Sequence, residues 1–288
     1  MALHFHHAGL IGKIGDAAIS DTLQRLCVFL QGQGVRATLE QQTAELFGAS
    51  GLPVAPMERI GSDCDLAVVV GGDGTLLRAA RDLSGFDIAL VGINLGRLGF
   101  LTDINPHNMP EMLGQILAGE FQEEWRPLLK AEVGGATFKA LNDVVVHKWN
   151  LARMIDFETY VDGRFVNRQR SDGLIISTPT GSTAYALSGG GPLLHPRLDA
   201  TVLVPICPHT LSNRPIVVDG DSLVEILVCG ATCPEHVRIT SDGQVMLPSA
   251  DRRIRVSKHP DRIRLIHPKD HDYFQVLRAK LGWAEDPV

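Results

Sequence analysis

The 288-residue chain has no surplus of basic residues: 27 Lys and Arg stand against 33 Asp and Glu, a formal charge of −6. A broad phosphate-backbone footprint needs a basic domain, so no nucleic-acid partner is expected. An anionic small ligand stays open, because a few local donors can hold one. No apolar run approaches the length of a spanning helix, and no membrane association is expected. Cysteine is scarce and odd in number, at five, with no Cys-x-x-Cys pair. Neither a disulfide framework nor a zinc site is read from it, and the thiols read as small-volume fillers. The stretch Met1–Gly9 carries three histidines and lacks a basic segment followed by an apolar one. No export signal is read there, so a cytoplasmic location is expected. His-Glu-x-x-His, Gly-x-Ser-x-Gly and EF-hand spacings are missing, as are internal repeats and low-complexity linkers.

What remains is an ordinary globular composition, 44% hydrophobic and 21% charged, with length for about two domains. The first part alternates strand and helix patterns: a strand near His4–Ile11, a helix over Ser20–Gln31 ended by Gly32 and Gly34, and the buried strand Leu66–Val70. A helix over Thr75–Leu83, a strand over Ile88–Ile93 and a helix over Met109–Leu117 follow. This alternation predicts a doubly wound α/β domain. From Trp125 short β segments take over: 137–146, 157–166, 174–177, 201–205, 223–229, 237–240 and 254–256, broken by turns such as Asp162-Gly163. They predict an all-β, sandwich-like second domain. Helical spacing returns over Tyr273–Trp283, read as packing back on the first domain. The expected boundaries are 1–124 with 266–288, and 125–265.

Three segments carry chemistry. Gly71-Gly-Asp-Gly-Thr75 follows a buried strand and opens a helix, where backbone N–H groups approach a phosphate and Asp73 accepts a proton. The same residues also suit a plain strand-to-helix turn with an Asp cap. No lysine follows, so this is not a Walker loop, and Gly32-x-Gly34-x-x-Ala37 follows a helix rather than a strand and is set aside. Asn142 and Asp143 open a strand and offer an amide and a carboxylate to a diol; a turn into a strand fits them as well. Arg170 to Pro192 runs from a strand through a Gly/Ser/Thr/Pro turn into a short helix near Thr183. Its hydroxyls and Tyr185 suit a planar base with polar edges.

Taken in order, Gly71–Thr75, Asn142-Asp143, Asp172-Gly173, Thr178–Tyr185 and the tail Leu265–Asp270 to Leu281–Trp283 resemble the bacterial NAD kinases, most of all those of Gram-negative bacteria. The resemblance covers nearly the whole chain; the loop alone also occurs in diacylglycerol kinases and phosphofructokinases. It implies transfer of the γ-phosphoryl of ATP, with Mg2+, to the 2′-hydroxyl of the adenosine ribose of NAD. Asp73 is then the general base and Gly74 a ligand contact. Asn142 would meet the adenine side and Asp143 a ribose hydroxyl. Thr183, Ala184 and Tyr185 would frame the adenine, with Ala186, Leu187 and Ser188 completing the wall. Asp172 would accept from the nicotinamide amide, Arg170 would favour NAD over NADH, and Gln244 would add a cofactor contact. Arg153 falls where the contact varies in type, and Arg78 could reach phosphate or form a surface ion pair. No protein ligand to the metal is assigned, and a homotetramer or homodimer is implied. A lipid or sugar kinase and a non-catalytic dinucleotide sensor are the two competing readings.

Overall fold

The computed structural model describes residues 3–13, 19–47, 51–96, 99–149, 153–230, 232–248 and 251–283. The chain divides into two compact units, Met1–Trp125 with Ile263–Val288, and Arg126–Arg262. The first unit alternates β1 (His7–Gly12), α1 (Ile19–Gly32), β2 (Arg36–Glu40), α2 (Gln41–Phe47), β3 (Val54–Ala55), α3 (Met57–Asp63), β4 (Leu66–Val70), α4 (Asp73–Leu83), β5 (Ala89–Ile93) and α5 (Met109–Leu117). The strands pair in parallel in the order β3-β2-β1-β4-β5. Period-two alternation turns Ala8, Leu10, Val68, Val70, Val91 and Ile93 into one core with Leu23 and Leu26 of α1 and Leu113 and Ile116 of α5. On the other face, Gly9 lies against Ile60 of α3 and Gly92 against Leu76 of α4. Helices therefore cover both faces, as the buried strands predicted. Strand order reverses between β1 and β4, where open α/β sheets leave a crevice beyond their carboxyl ends. The Gly71–Thr75 loop leaves β4 at that reversal.

β6 (Phe121–Val133) leads into the second unit, which is rich in strands: β7 (Ala136–Ala140), β8 (Asp143–Lys148), β9 (Ile155–Val161), β10 (Arg164–Ser171) and β11 (Gly173–Ser177). The short helix α6 (Tyr185–Ser188) follows, then β12 (Ala200–Ile206), β13 (Ile216–Asp219), β14 (Val224–Val228), β15 (Val237–Ser241), β16 (Val245–Pro248) and β17 (Arg253–Pro268). One antiparallel sheet runs β13-β12-β11-β8-β15-β16. A second layer holds β10-β9-β14-β17. Val144, Val146, Leu174, Ile176 and Ile239 from the first meet Phe157, Ile226, Ile254 and Val256 from the second in one buried core, a sandwich-like packing. The alternate residues Val145, Ile175, Val202 and Val204 point the other way and pack with Ala186 and Leu194. That contact seats α6 on the outer face of the six-stranded sheet.

In the first unit again, the end of β17 pairs in parallel with β5 through Arg264 and Leu265. α7 (Tyr273–Leu281) then runs from an Asp272 side-chain cap to Gly282 in the left-handed conformation.

Several boundaries differ from the sequence reading. α4 starts at Asp73 rather than Thr75, because Gly72 supplies the extended cap residue. The segment 137–146 is two strands, broken at Leu141-Asn142. The segment 254–256 is only the beginning of the 16-residue β17.

Candidate active site

Asp73 is the first residue of α4, and its carboxylate grips the segment that follows Gly99. Oδ2 accepts from the Phe100 N–H at 2.8 Å. Oδ1 accepts from the Leu101 and Thr102 N–H groups at 3.0 and 3.2 Å and from the Thr102 hydroxyl at 3.1 Å. Three donors on Oδ1 against one on Oδ2 leave the remaining acceptor capacity on Oδ2. Gly99 is required by the close approach, since a Cβ there would collide with the Asp73 carboxylate and the Thr102 hydroxyl. Gly74 is exposed on the same first turn. Further along the helix, Arg78 pairs with the buried Glu40 at 3.3 Å and donates to the Gln42 side chain. Glu40 in turn accepts from the Gln42 and Thr43 N–H groups at the start of α2.

A cavity of about 430 Å³ opens in the second unit. Asp143, Val145 and His147, alternate residues of β8, line one wall because strand side chains repeat every second position. Asn142, Lys148, Asp172, Ala184, Tyr185, Ile206, Thr240, Asp242 and Gly243 complete it. Asp242, at φ +51° in the turn after β15, holds the approach to β8. Its carboxylate accepts from the Leu141, Asn142 and Asp143 N–H groups at 3.1, 2.7 and 3.3 Å. The Asn142 carbonyl accepts from the Thr178 N–H at 2.9 Å and the Ser177 hydroxyl at 3.1 Å. Gly181 is the second required glycine, because a Cβ there would strike that carbonyl. With its backbone locked from two sides, Asn142 lines the cavity.

Asp143 is 4% exposed, and burial, with the charge of Asp242 second, pushes its carboxyl up to about 7. Asp172 receives the Lys148 ammonium at 2.7 Å. Tyr185 is 47% exposed beside the buried Ala186, which anchors α6. An aromatic ring, an amide and carboxyl groups around one concavity suit a polar-edged planar base joined to a diol.

The ATP-NAD kinase N-terminal domain matches residues 8–121 and the ATP-NAD kinase C-terminal domain residues 141–268. The chain belongs to the NAD kinase family. It is 50% identical over 286 residues to the NAD kinase of Chromohalobacter salexigens, covering 97% of each chain. The NAD kinase of Hahella chejuensis is 48% identical over 286 residues, covering 97% of this chain and 96% of that one. Among solved structures, an NAD kinase from Archaeoglobus fulgidus in complex with ATP superposes with a TM-score of 0.78 at 28% identity, over 95% of this chain and 99% of that one. Yeast NADH kinase complexed with NADH shares the fold, with a TM-score of 0.87 at 23% identity over 98% and 89%. Membership of the family makes the chain an ATP-dependent kinase.

Of the residues read from the sequence, the kinase gathers Asn142, Asp143, Asp172, Ala184 and Tyr185 on one cavity. Asp73, Gly74 and Arg78 belong to the first unit. Thr183 is half-buried and its hydroxyl donates to the Thr180 carbonyl at 3.2 Å. Ala186 is buried, Leu187 half-buried and Ser188 exposed, and none of the three lines the cavity. Arg170 is exposed on β10 opposite Asp156, and Arg153 and Gln244 are exposed outside the lining. Leu151 and Ala152 beside Arg153, and Arg97 and Leu98 before Phe100, lie outside the described residues. Phe100 is half-buried, with the Lys280 ammonium 5.3 Å from its ring centre.

Sequence reasoning missed Lys148 and Asp242. The antiparallel register that sets His147 opposite Gly173 brings Lys148 to Asp172. Asp242 reaches Asn142 across 100 residues. The Asp-Gly turn was visible, but nothing local says which amides its carboxylate grips.

Proposed function

We propose that the chain transfers the γ-phosphoryl group of ATP to the 2′-hydroxyl of the adenosine ribose of NAD, giving NADP. The observation that carries this reading is the uneven loading of the Asp73 carboxylate. Oδ1 is saturated by three donors and orients the group, while Oδ2, with one donor, takes the hydroxyl proton as the oxygen attacks phosphorus. Phosphoryl transfer needs positioning and charge neutralisation more than covalent help. Without a Walker lysine, the positive amino end of α4, which begins at Asp73, contributes that neutralisation. Among the described residues the one grouping of metal-type ligands is Asp103, His267 and His271, whose nitrogen donors do not suit magnesium. In this reading Mg2+ enters with the triphosphate, where it would neutralise phosphate charge.

In the same reading NAD occupies the second-unit cavity. Asn142 meets the adenine side, Asp143 a ribose hydroxyl, and Thr183, Ala184 and Tyr185 frame the base, with Ala186, Leu187 and Ser188 behind them. Asp172 accepts from the nicotinamide amide while shared with Lys148. Arg170 selects the oxidised cofactor, and Arg153 and Gln244 add outer contacts. The enzyme acts in the cytoplasm as a homodimer or homotetramer, which light scattering on the purified protein measures. The deciding assay is product formation from NAD, ATP and magnesium, with NADH in parallel. NADP from NAD alone is expected; equal product from both removes Arg170 from selection. No product with ATP or polyphosphate, while NAD still binds by calorimetry, replaces the kinase reading with a dinucleotide sensor.

A further inference from the structure

Next in sequence to the segment that Asp73 grips, three side chains of the first unit converge on one point. His267, at the end of β17, and His271, in the turn before α7, each direct Nδ1 at Asp103 Oδ2, both at 2.9 Å. The two rings stack with centroids 4.0 Å apart. The side chains of His267, His271 and Asp103 are 1%, 7% and 8% exposed.

As a pure hydrogen-bond cluster this arrangement is poorly satisfied. If both imidazoles donate from Nδ1, a neutral His267 carries a bare lone pair on Nε2. That atom is buried without a hydrogen bond, and the nearest charged neighbour is an acceptor, Glu124 Oε2 at 3.7 Å. Asp103 Oδ1 is also buried without a hydrogen bond. Two carboxylates, 8% and 11% exposed, thus bracket a histidine with a lone pair facing one of them. A buried polar atom left so costs about 1–3 kcal/mol.

We propose that Asp103, His267 and His271 form a binding site for a borderline divalent cation of the zinc or cobalt class. Asp103 Oδ2 and the two Nδ1 atoms are its ligands. For both Nδ1 lone pairs to face the cation, the His271 ring turns out of its stack on His267, and the proton of His267 moves to Nε2, on the side of Glu124. A carboxylate behind a ligating histidine is the usual outer support of such sites. One of the two charges of the ion balances Asp103. The three ligand atoms lie within 4.8 Å of one another. Zinc–nitrogen and zinc–oxygen bonds of about 2.0–2.2 Å set ligand atoms about 3.3 Å apart in a tetrahedron, so the 2.9 Å contacts open by a few tenths of an ångström. Two imidazoles exclude magnesium as the natural occupant. The ion would pin the tail, from His267 to His271, to Asp103, the residue after Thr102.

The test uses the full-length protein, stripped with a chelator and desalted. Zn2+ is titrated by calorimetry against a competing chelator, and Co2+ by its visible absorption. Wild type is expected to bind one more equivalent of either ion than His271→Gln, with zinc raising the Tm of the wild type only. The comparison cancels the remaining histidines and all five cysteines, which both proteins share. Equal stoichiometry and an equal Tm response overturn the site and leave His267 as an imidazolium clasp between two carboxylates. If His271→Gln does not fold, zinc-edge X-ray absorption on the wild type decides. Imidazole nitrogens at about 2.0 Å support the site, whereas sulfur at about 2.3 Å or no retained zinc overturns it.

Discussion

The Asp73 loop and the Asn142 turn, one in each unit, are built with the same device. In both, a carboxylate grips three consecutive backbone amides from a segment remote in sequence: Asp73 holds Phe100–Thr102, and Asp242 holds Leu141–Asp143. They differ in what the gripping group does next. Asp73 is itself the candidate base, and its grip aims it. Asp242 only braces, and the group it serves is the neighbouring Asp143. A carboxylate with donors is a stable fixture; one packed beside another carboxylate without such donors is a titrating group. In the second unit the bracing carboxylate and the acid shifted by burial are therefore two different residues.

The largest effect that tests this contrast belongs to Asp73→Asn. The amide cannot take a proton, so turnover should fall by about 10²–10⁴-fold. NAD affinity, measured by calorimetry, should hold, because the amide keeps the shape of the acid and leaves the cavity residues unchanged. Wild-type turnover would remove Asp73 from the chemistry. Asp242 should behave the other way round. Asp242→Ala leaves three amides without their acceptor and forces a non-glycine residue to keep positive φ, costing about 3 kcal/mol in urea denaturation, with NAD affinity lost alongside. Asp242→Asn keeps one oxygen and tolerates that backbone, so it should cost about 1 kcal/mol. If the two substitutions cost the same, the grip is not what holds the turn.

How legible these regions were follows from their range in sequence. The strand Leu66–Val70 and the helix Met109–Leu117 match residue for residue, since continuous apolar runs and helical spacing are local signals. Gly71–Thr75, Asn142-Asp143 and Tyr185 were readable because each motif is contiguous. β6 escaped because Gln122-Glu-Glu124 and Pro127 break its apolar alternation, although its second half is buried. β2, α2 and α3 escaped because elements of five to seven residues give few turns of pattern. Asp242 and Lys148 owe their positions to strand register and a hairpin turn, which only the folded sheet defines. The break at Leu141-Asn142 has the same origin: amides that could continue a strand are taken by Asp242 instead.

Asp143 gives the sharpest reading of the contrast, though the smallest change. Its carboxyl titrates near 7 in the folded chain against an ordinary value of 3.8, with burial the main cause and Asp242 the second. A folded value above the unfolded one means the folded state binds the proton more tightly. The contribution is fully present below pH 4, is lost as pH rises through 7, and is absent above that. Three pH units between the two states correspond to about 2–4 kcal/mol across this window. Asp143→Asn copies the protonated shape without the titration. Its Tm should match wild type at pH 4 to 5 and exceed it at pH 8. In the Asp242→Asn background the gap at pH 8 should narrow, because one of the two charges that crowd the site is gone. Parallel pH profiles for wild type and Asp143→Asn would mean that Asp143 is solvated like a surface acid. The two units would then differ in geometry alone, with no titrating group set beside the brace.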